Sequence, residues 1–319
     1  MRKRKYLQNG IMILLFLVAL VPIFNLKVPF LQFSVDFTVQ LMLAYLFLGL
    51  LFLTIDKRRL LFTSFICCGM LCLFLKQSSY DRLAFPAVTQ QEKVTIAHFN
   101  TSSAIGGYES VLSAVLASDA DIISFQEVTP DWDAFLTENL STIYPYNVRN
   151  VRIDPYGMEI FSKLPIKSYD TFHYQEIPHQ LVNIDIADGE QVNIISAHVL
   201  PPLGQRLNER ARKHLNTIAE KILSIEAPSI VLGDFNLVYW SNEIISFRQK
   251  ADLENSRRDI SKNLLDVPYD HIFFSKRLEC TGFGDITDTS STHLGIIGTY
   301  QLKPLAQIRE SSIPDFMKN

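Results

Sequence analysis

Beyond residue 76 the chain carries one cysteine, Cys280. One thiol cannot close an internal disulfide, and with no C-x-x-C pair anywhere a cysteine-built zinc site is excluded. The other three, Cys67, Cys68 and Cys72, lie together in an apolar stretch. Basic residues are also scarce there: residues 77–319 hold 21 Lys/Arg against 31 Asp/Glu, about −10 formally, whereas residues 1–76 hold nine against two. Gripping nucleic acid by counterion release needs the opposite sign, so non-specific DNA binding is disfavoured, with a local basic patch at Arg206–Lys213 left open. No internal repeat or low-complexity tract is present.

Charge is missing altogether from three long apolar runs, Ile11–Leu26, Thr38–Ile55 and Leu60–Leu75. They are apolar all round rather than amphipathic, and each is roughly the length of a slightly short membrane-crossing helix. They predict three transmembrane helices (about 11–26, 38–55 and 60–75) in a membrane anchor over residues 1–76. The basic start "MRKRK" would suit a signal peptide, but no small-x-small cleavage site follows and two further runs do, which favours a permanent anchor. Arg2–Lys5 and the "DKRR" of Asp56–Arg59 outweigh Lys27 and Asp36 between the first two runs. By the positive-inside rule both basic flanks are cytoplasmic and the third span runs outward. The expectation is a multi-pass protein of the plasma or inner membrane, with the remainder periplasmic or extracellular.

A polar linker (77–92) leads to a domain over 93–302, followed by a tail (303–319). Short apolar runs read as strands at 94–100, 121–128, 158–162, 181–187, 192–199, 229–236, 269–275 and 294–302. Helices are expected over Tyr108–Ser118 and Leu207–Ile225; in the latter Leu207, Ala211, Leu215, Ile218, Ile222 and Ile225 share one face. "ADGE" between 181–187 and 192–199 supplies an Asp-Gly hairpin turn. Many strands and few long helices point to an α+β sandwich.

Polar residues fall at corresponding places on these runs. Asn100, Glu127, His198 and the pair Asp234/Asn236 close four strands; Asp270 opens one and His293 precedes another. With antiparallel neighbours, such ends and starts meet at one rim. Ile230, Leu232, Asp234 and Asn236 share parity, as do Ile123, Phe125 and Glu127, and Asp270, Ile272 and Phe274, so the polar tips continue core-facing rows. Any one of these residues has an ordinary alternative as a turn, cap or rim residue; their joint occurrence points to a site.

At these residues the chain resembles the endonuclease/exonuclease/phosphatase superfamily, which includes deoxyribonuclease I and neutral sphingomyelinases. "AHFNTS", "DIISFQEV", "YGMEIFSKLPI", "SAHVLPP", "VLGDFN", "YDHIFFS" and "SSTHLG" keep the family's motif order, and the preceding apolar runs resemble a membrane-anchored bacterial branch. The resemblance implies a four-layer αββα sandwich and a phosphoesterase using Mg²⁺, with Mn²⁺ as a substitute. It implies Glu127 as metal ligand with Asn100 beside metal and phosphate, and Asp234 as the group that orients or deprotonates water. Asn236 would hold a phosphate oxygen, His198 would contact phosphate or assist the leaving oxygen, and His293 paired with Asp270 would contact phosphate or carry a proton. The last motif reads Ser291-Thr292-His293-Leu294-Gly295 where the family has Ser-Asp-His-x-Pro, so a hydroxyl stands in place of a carboxylate. Asp285 and Asp288 are the nearby candidates to substitute. Thr292 keeps open a non-catalytic binding or sensing module on the same fold, and a nuclease is the alternative among enzymes. An anchored acidic domain favours a lipid or small-molecule phosphodiester over DNA. Specificity is expected in loops 101–108, 145–157 and 237–266.

Overall fold

A computed structural model describes residues 2–24, 35–80, 84–89, 92–103, 107–187, 189–201, 207–259, 266–289 and 291–303. Three helices come first: α1 (Arg2–Phe24), α2 (Thr38–Thr54) and α3 (Arg58–Ser78). Two stretches, Lys5–Phe24 and Arg58–Ser78, are long and apolar enough to cross a membrane; the third, α2, is as apolar but has 17 residues. At about 1.5 Å per residue α2 spans about 26 Å, just short of a typical hydrocarbon core. Two spans rather than three are therefore supported by length and composition, and residues 25–26 of the first expected span lie outside the described residues.

The remaining elements are β1 (Lys93–Asn100), α4 (Gly107–Ser118), β2 (Ile122–Gln126), α5 (Pro130–Leu140), β3 (Tyr146–Asn150), β4 (Met158–Ser162), β5 (Ile166–Tyr174) and β6 (Ile177–Ala187). They continue with β7 (Glu190–Ala197), α6 (Leu207–Leu223), β8 (Ser229–Asp234), α7 (Asn242–Lys250), β9 (Leu253–Asn255), β10 (Asp270–Ser275), β11 (Leu278–Thr287) and β12 (His293–Leu302). Two six-stranded sheets form, in the orders β11-β12-β1-β2-β4-β3 and β5-β6-β7-β8-β10-β9.

Period-two alternation builds the layers. Val94, Ile96, Ile122, Ile230, Leu232, Ile272 and Phe274 meet between the sheets. The opposite rows bury Ala97, Phe99, Ile123 and Phe125 under α4 and α5, and Ile195, Val231 and Phe273 under α6 and α7. The result is the expected αββα sandwich. All eight expected strands are present within a few residues at their ends. The four strands that sequence reasoning missed, β3, β5, β9 and β11, are the four sheet edges. Edge strands carry polar and charged residues and need no continuous apolar run, so their periodicity is weak. The missed helices α5 and α7 carry local signals instead: Thr129 accepts from Trp132 N ahead of Pro130, and Ser241 accepts from Ile244 N. The β6–β7 hairpin closes at Gly189 (φ +86°), with Asp188 outside the described residues.

The N-terminal helices pack on the sandwich. Val35, Val39 and Leu75 share a buried cluster with Val238, Tyr239 and Trp240, which follow β8. The Trp240 indole N–H donates to the Val35 carbonyl (2.6 Å), and Asp36 hydrogen-bonds the Tyr269 side chain just before β10. Residues 238–240, expected within a specificity loop, are instead buried against these helices. The chain then runs along the sandwich, where Tyr80 donates to Glu254 (2.8 Å) and Arg258 covers the Tyr80 ring.

One buried carboxyl lies apart from the rim. Glu159 on β4 is 0 % exposed beneath α5, with the Asp133 side chain as its hydrogen-bonding neighbour. Burial, with nearby Asp133 adding to it and Arg149 opposing, pushes this carboxyl up to about 9. Its folded value lies above its unfolded value of 4.5, so its contribution is complete below pH 4.5 and is lost as pH rises through about 9. Glu159→Gln is expected to raise stability at pH 8 by on the order of 2 kcal/mol and to flatten the stability profile between pH 5 and 9. Thermal unfolding followed across that range checks it; a variant that melts lower at pH 8 would refute the neutral-carboxyl assignment.

Candidate active site

β1 and β2 run parallel, as do β7 and β8, while β10 is antiparallel to β8 and β12 to β1. Four strand ends and two strand starts thus meet at one rim. Asp270 stands directly opposite Asp234 across the β10–β8 ladder.

The expected alternation holds for Asp234 and Asp270, whose rows (Ile230, Leu232; Ile272, Phe274) lie between the sheets. It does not hold for Glu127. Ile123 and Phe125 face the outer helices, so a continued strand would carry Glu127 away from the cleft. Glu127 instead adopts φ +61°, and its side chain meets Asn100 at the rim; Asn236 is also left-handed, at φ +51°. Left-handed backbone at non-glycine residues is costly and persists where the surrounding structure fixes it. Gly233 (φ +144°) precedes Asp234 at a point where a Cβ would run into the Ala197 carbonyl and the Gln126 amide, so only glycine permits that approach.

The side chains are stitched across both sheets. Asn100 Nδ2 donates to Glu127 Oε1 (2.9 Å) and to Asp234 Oδ2 (3.3 Å), while Asn100 Oδ1 accepts from Ser102 N and Oγ (3.0 and 2.9 Å), which fixes the amide's orientation. Beneath them runs a polar seam that sequence reasoning missed. The Asp234 backbone N–H donates to Gln126 Oε1 (2.9 Å), Gln126 Nε2 reaches Ser196 Oγ (3.3 Å), and Ser196 meets Ser124 (2.8 Å). Its signal was available as three polar residues, Ser124, Gln126 and Ser196, on rows that otherwise face the core. Asn236 spends part of its amide on the Val199 carbonyl (2.9 Å), and its N–H donates to Asp234 Oδ1 (2.8 Å).

His293 Nε2 lies 2.7 Å from Asp270 Oδ2, the pairing expected. A second, unexpected histidine, His98, is fully buried with Nε2 3.6 Å from the other Asp270 oxygen. His198 packs against the Tyr156 ring (centroids 5.6 Å apart). The chain after it is held by His214, whose Nδ1 accepts from Leu200 N (3.4 Å) and whose Nε2 meets His179 Nε2 at 2.7 Å.

Charge states follow from burial and neighbours. Burial, then the charges of Asp270 and Glu127, push the Asp234 carboxyl up to about 7, against the hydrogen bonds from Asn236 and Asn100. Burial alone would raise Asp270, but hydrogen bonding with His293 and His98 and their charges hold it far below the usual carboxylate range. Burial works against a charged His293, and Asp270 outweighs it, so the imidazole sits above its ordinary value. Burial lowers His198 despite the Glu127 charge.

Glu127, His198 and Asp234 each offer a ligand atom within 4.8 Å of one another. The Asn100 amide lies between the two carboxylates, and His198 Nδ1 has no hydrogen-bond partner among the described residues. Hard oxygen donors with one imidazole fit a divalent cation. Asp285 and Asp288 do not join this group. Asp285 is bound by both Arg257 amino groups (2.6 and 3.2 Å), and Asp288 Oδ1 accepts from Thr292 N (2.7 Å) to close a tight turn with Ser291 at φ +66°. Gly295, where the family has proline, abuts β1: a Cβ there would strike the His98 carbonyl.

A two-sheet αββα sandwich with carboxylate, amide and imidazole groups gathered at one rim defines the deoxyribonuclease I-like class. The model of the Endonuclease/Exonuclease/phosphatase family matches residues 97–293, and the chain belongs to that family. Its members are generally metal-dependent phosphoesterases. Among solved structures, the chain is similar to an endonuclease/exonuclease/phosphatase family protein from Bacteroides thetaiotaomicron (18% identity, TM-score 0.56, covering 68% of this chain and 100% of that one). It is also similar to an endonuclease/exonuclease/phosphatase from Beutenbergia cavernae (16%, 0.55, 66% and 72%) and to the human Nocturnin catalytic domain with bound sulfate (17%, 0.54, 68% and 96%). At these identities the likeness is one of fold. A search of curated proteins finds no match.

Proposed function

We propose that the chain is a membrane-anchored, extracytoplasmic, Mg²⁺- or Mn²⁺-dependent phosphoesterase that hydrolyses phosphodiester (or phosphomonoester) bonds by in-line attack of water. The observation that carries it is the convergence, from both sheets, of Glu127, Asn100, Asp234 and His198 with the Asp270–His293 pair. Three spans with both basic flanks inside put the rim outside the cytoplasm; in this reading α2 crosses despite its 17 residues.

Glu127, with Asn100 alongside and His198 and Asp234 within reach, would hold the divalent cation, which when bound polarises the phosphoryl group and offsets its charge. Asp234, with its carboxyl pushed up to about 7, accepts the proton of the attacking water. His293, whose protonated form Asp270 favours, places positive charge against a phosphate oxygen. His198 and Asn236 orient the ester. The second reading, a binding module, has Thr292 in its favour.

The full chain in detergent micelles, given bis-p-nitrophenyl phosphate, is expected to turn over with Mg²⁺ or Mn²⁺ and not with EDTA. Glu127→Ala is expected to lose about 10²-fold or more in turnover and, read by the electron paramagnetic resonance of free Mn²⁺, to bind that ion at least about 10-fold more weakly. Tight Mn²⁺ binding without turnover of any ester would favour the binding module; unchanged Mn²⁺ binding in the variant would refute the ligand assignment.

A further inference from the structure

The rim does not point away from the anchor. The two segments that continue from the site, 238–240 after Asp234 and Asn236 and 267–269 before Asp270, are the ones that pack on the start of α2 and the end of α3. In the anchored reading proposed above, those helix ends emerge on one side of the membrane, which puts the rim at the membrane-facing end of the sandwich.

The far side of the same rim carries amphipathic and apolar groups. Tyr108, Trp132 and Phe135 stack with centroids 4.3 to 6.2 Å apart near the starts of α4 and α5, the helices that follow β1 and β2; Trp132 and Phe135 are half-buried against the core and Tyr108 is exposed over them. Ile153 is 93% exposed on the loop that hydrogen-bonds Val128, next to Glu127. An exposed tyrosine and an exposed isoleucine are groups that settle at a bilayer interface. Residues 77–319 carry a formal charge of about −10, which disfavours a long polyanion at this rim.

Resting on the phosphoesterase reading above, we infer that the substrate is a phosphate ester carried by a membrane lipid and presented at the bilayer surface, not a nucleic acid. The lipid lies between the helix ends and the Ile153–Tyr108 side, with its phosphate drawn up to Asp234 and His293.

The test keeps the reacting group fixed and varies only its carrier. The full chain is reconstituted in phosphatidylcholine vesicles and given either hexadecyl p-nitrophenyl phosphate, held in the bilayer, or methyl p-nitrophenyl phosphate, free in solution. Turnover of the hexadecyl diester is expected to exceed that of the methyl diester by about 10-fold or more at equal bulk concentration, since the long chain concentrates the ester at the interface. Ile153→Asp is expected to lower the hexadecyl rate about 3-fold or more while leaving the methyl rate unchanged. Equal or faster turnover of the methyl diester overturns the inference, as does plasmid cleavage faster than either. Refusal of the hexadecyl diester while bis-p-nitrophenyl phosphate is hydrolysed also overturns it, with the phosphoesterase reading intact. Refusal of all three esters fails the phosphoesterase reading itself.

Discussion

Asp234→Asn is expected to lower metal-dependent turnover by about three orders of magnitude and, in the absence of metal, to make the protein more stable at pH 8. The two effects share one cause. Asp234 is crowded by Asp270 and Glu127 in a buried rim, and its carboxyl is pushed from 3.8 up to about 7. Because the folded value is the higher one, Asp234's contribution is complete below pH 3.8 and is lost as pH rises through about 7. Above pH 7 the folded state holds a charge that it disfavours. Asparagine keeps the shape, removes the charge, and gives up an acceptor for the Asn100 amide. The net gain is on the order of 1–2 kcal/mol, a shift of a few degrees in unfolding temperature. Metal reverses the order. A cation at about 100 times its dissociation constant stabilises the wild type by about 2.7 kcal/mol and stabilises the variant far less. Paired melts of both proteins with EDTA and with Mn²⁺ read this crossing. If the variant melts lower under both conditions, Asp234 is a structural carboxylate and not the strained base assigned here.

Much of this arrangement is legible in the sequence because strand period and strand ends are strong signals. Apolar alternation locates the eight inner strands, and the polar residues at their tips already name Asn100, Glu127, His198, Asp234, Asp270 and His293. What escapes is whatever depends on a break in periodicity or on a partner distant in sequence. Glu127 is at the rim for a reason opposite to the one its parity suggests, since a single left-handed residue overrides the strand row. Asp285 looks free in sequence, yet Arg257, 28 residues earlier, occupies both its oxygens. His98 reads as one polar residue inside an apolar strand, and only the approach of β10 in the other sheet gives it Asp270 as a neighbour. The edge strands escape because they lack a buried second neighbour and hence a continuous apolar row.

The other large effect belongs to Trp240. Its side chain is 1% exposed, its indole N–H is bonded to the Val35 carbonyl, and its cluster joins Val35, Val39 and Leu75 to Val238 and Tyr239. Trp240→Ala is expected to destabilise the full chain by about 3–5 kcal/mol, whereas Trp240→Phe keeps most of the packing and loses only the indole hydrogen bond. A chain beginning at residue 77 suffers the same loss without any substitution. It uncovers Val238, Tyr239 and Trp240 together and takes Asp36 from Tyr269, whose carbonyl accepts the Phe235 N–H (2.9 Å) beside Asp234. Turnover of bis-p-nitrophenyl phosphate by that shortened chain is expected to fall about 10-fold or more below that of the full chain in micelles, because small displacements of positioned groups cost that much. Tryptophan emission should shift to the red, with Trp240 entering water while Trp132 keeps its surroundings. Equal turnover and unchanged emission would mean that the sandwich folds and positions its site alone. The contacts argue otherwise: the segments that flank Asp234 and Asp270 in sequence, 238–240 and 267–269, share one buried cluster with the N-terminal helices.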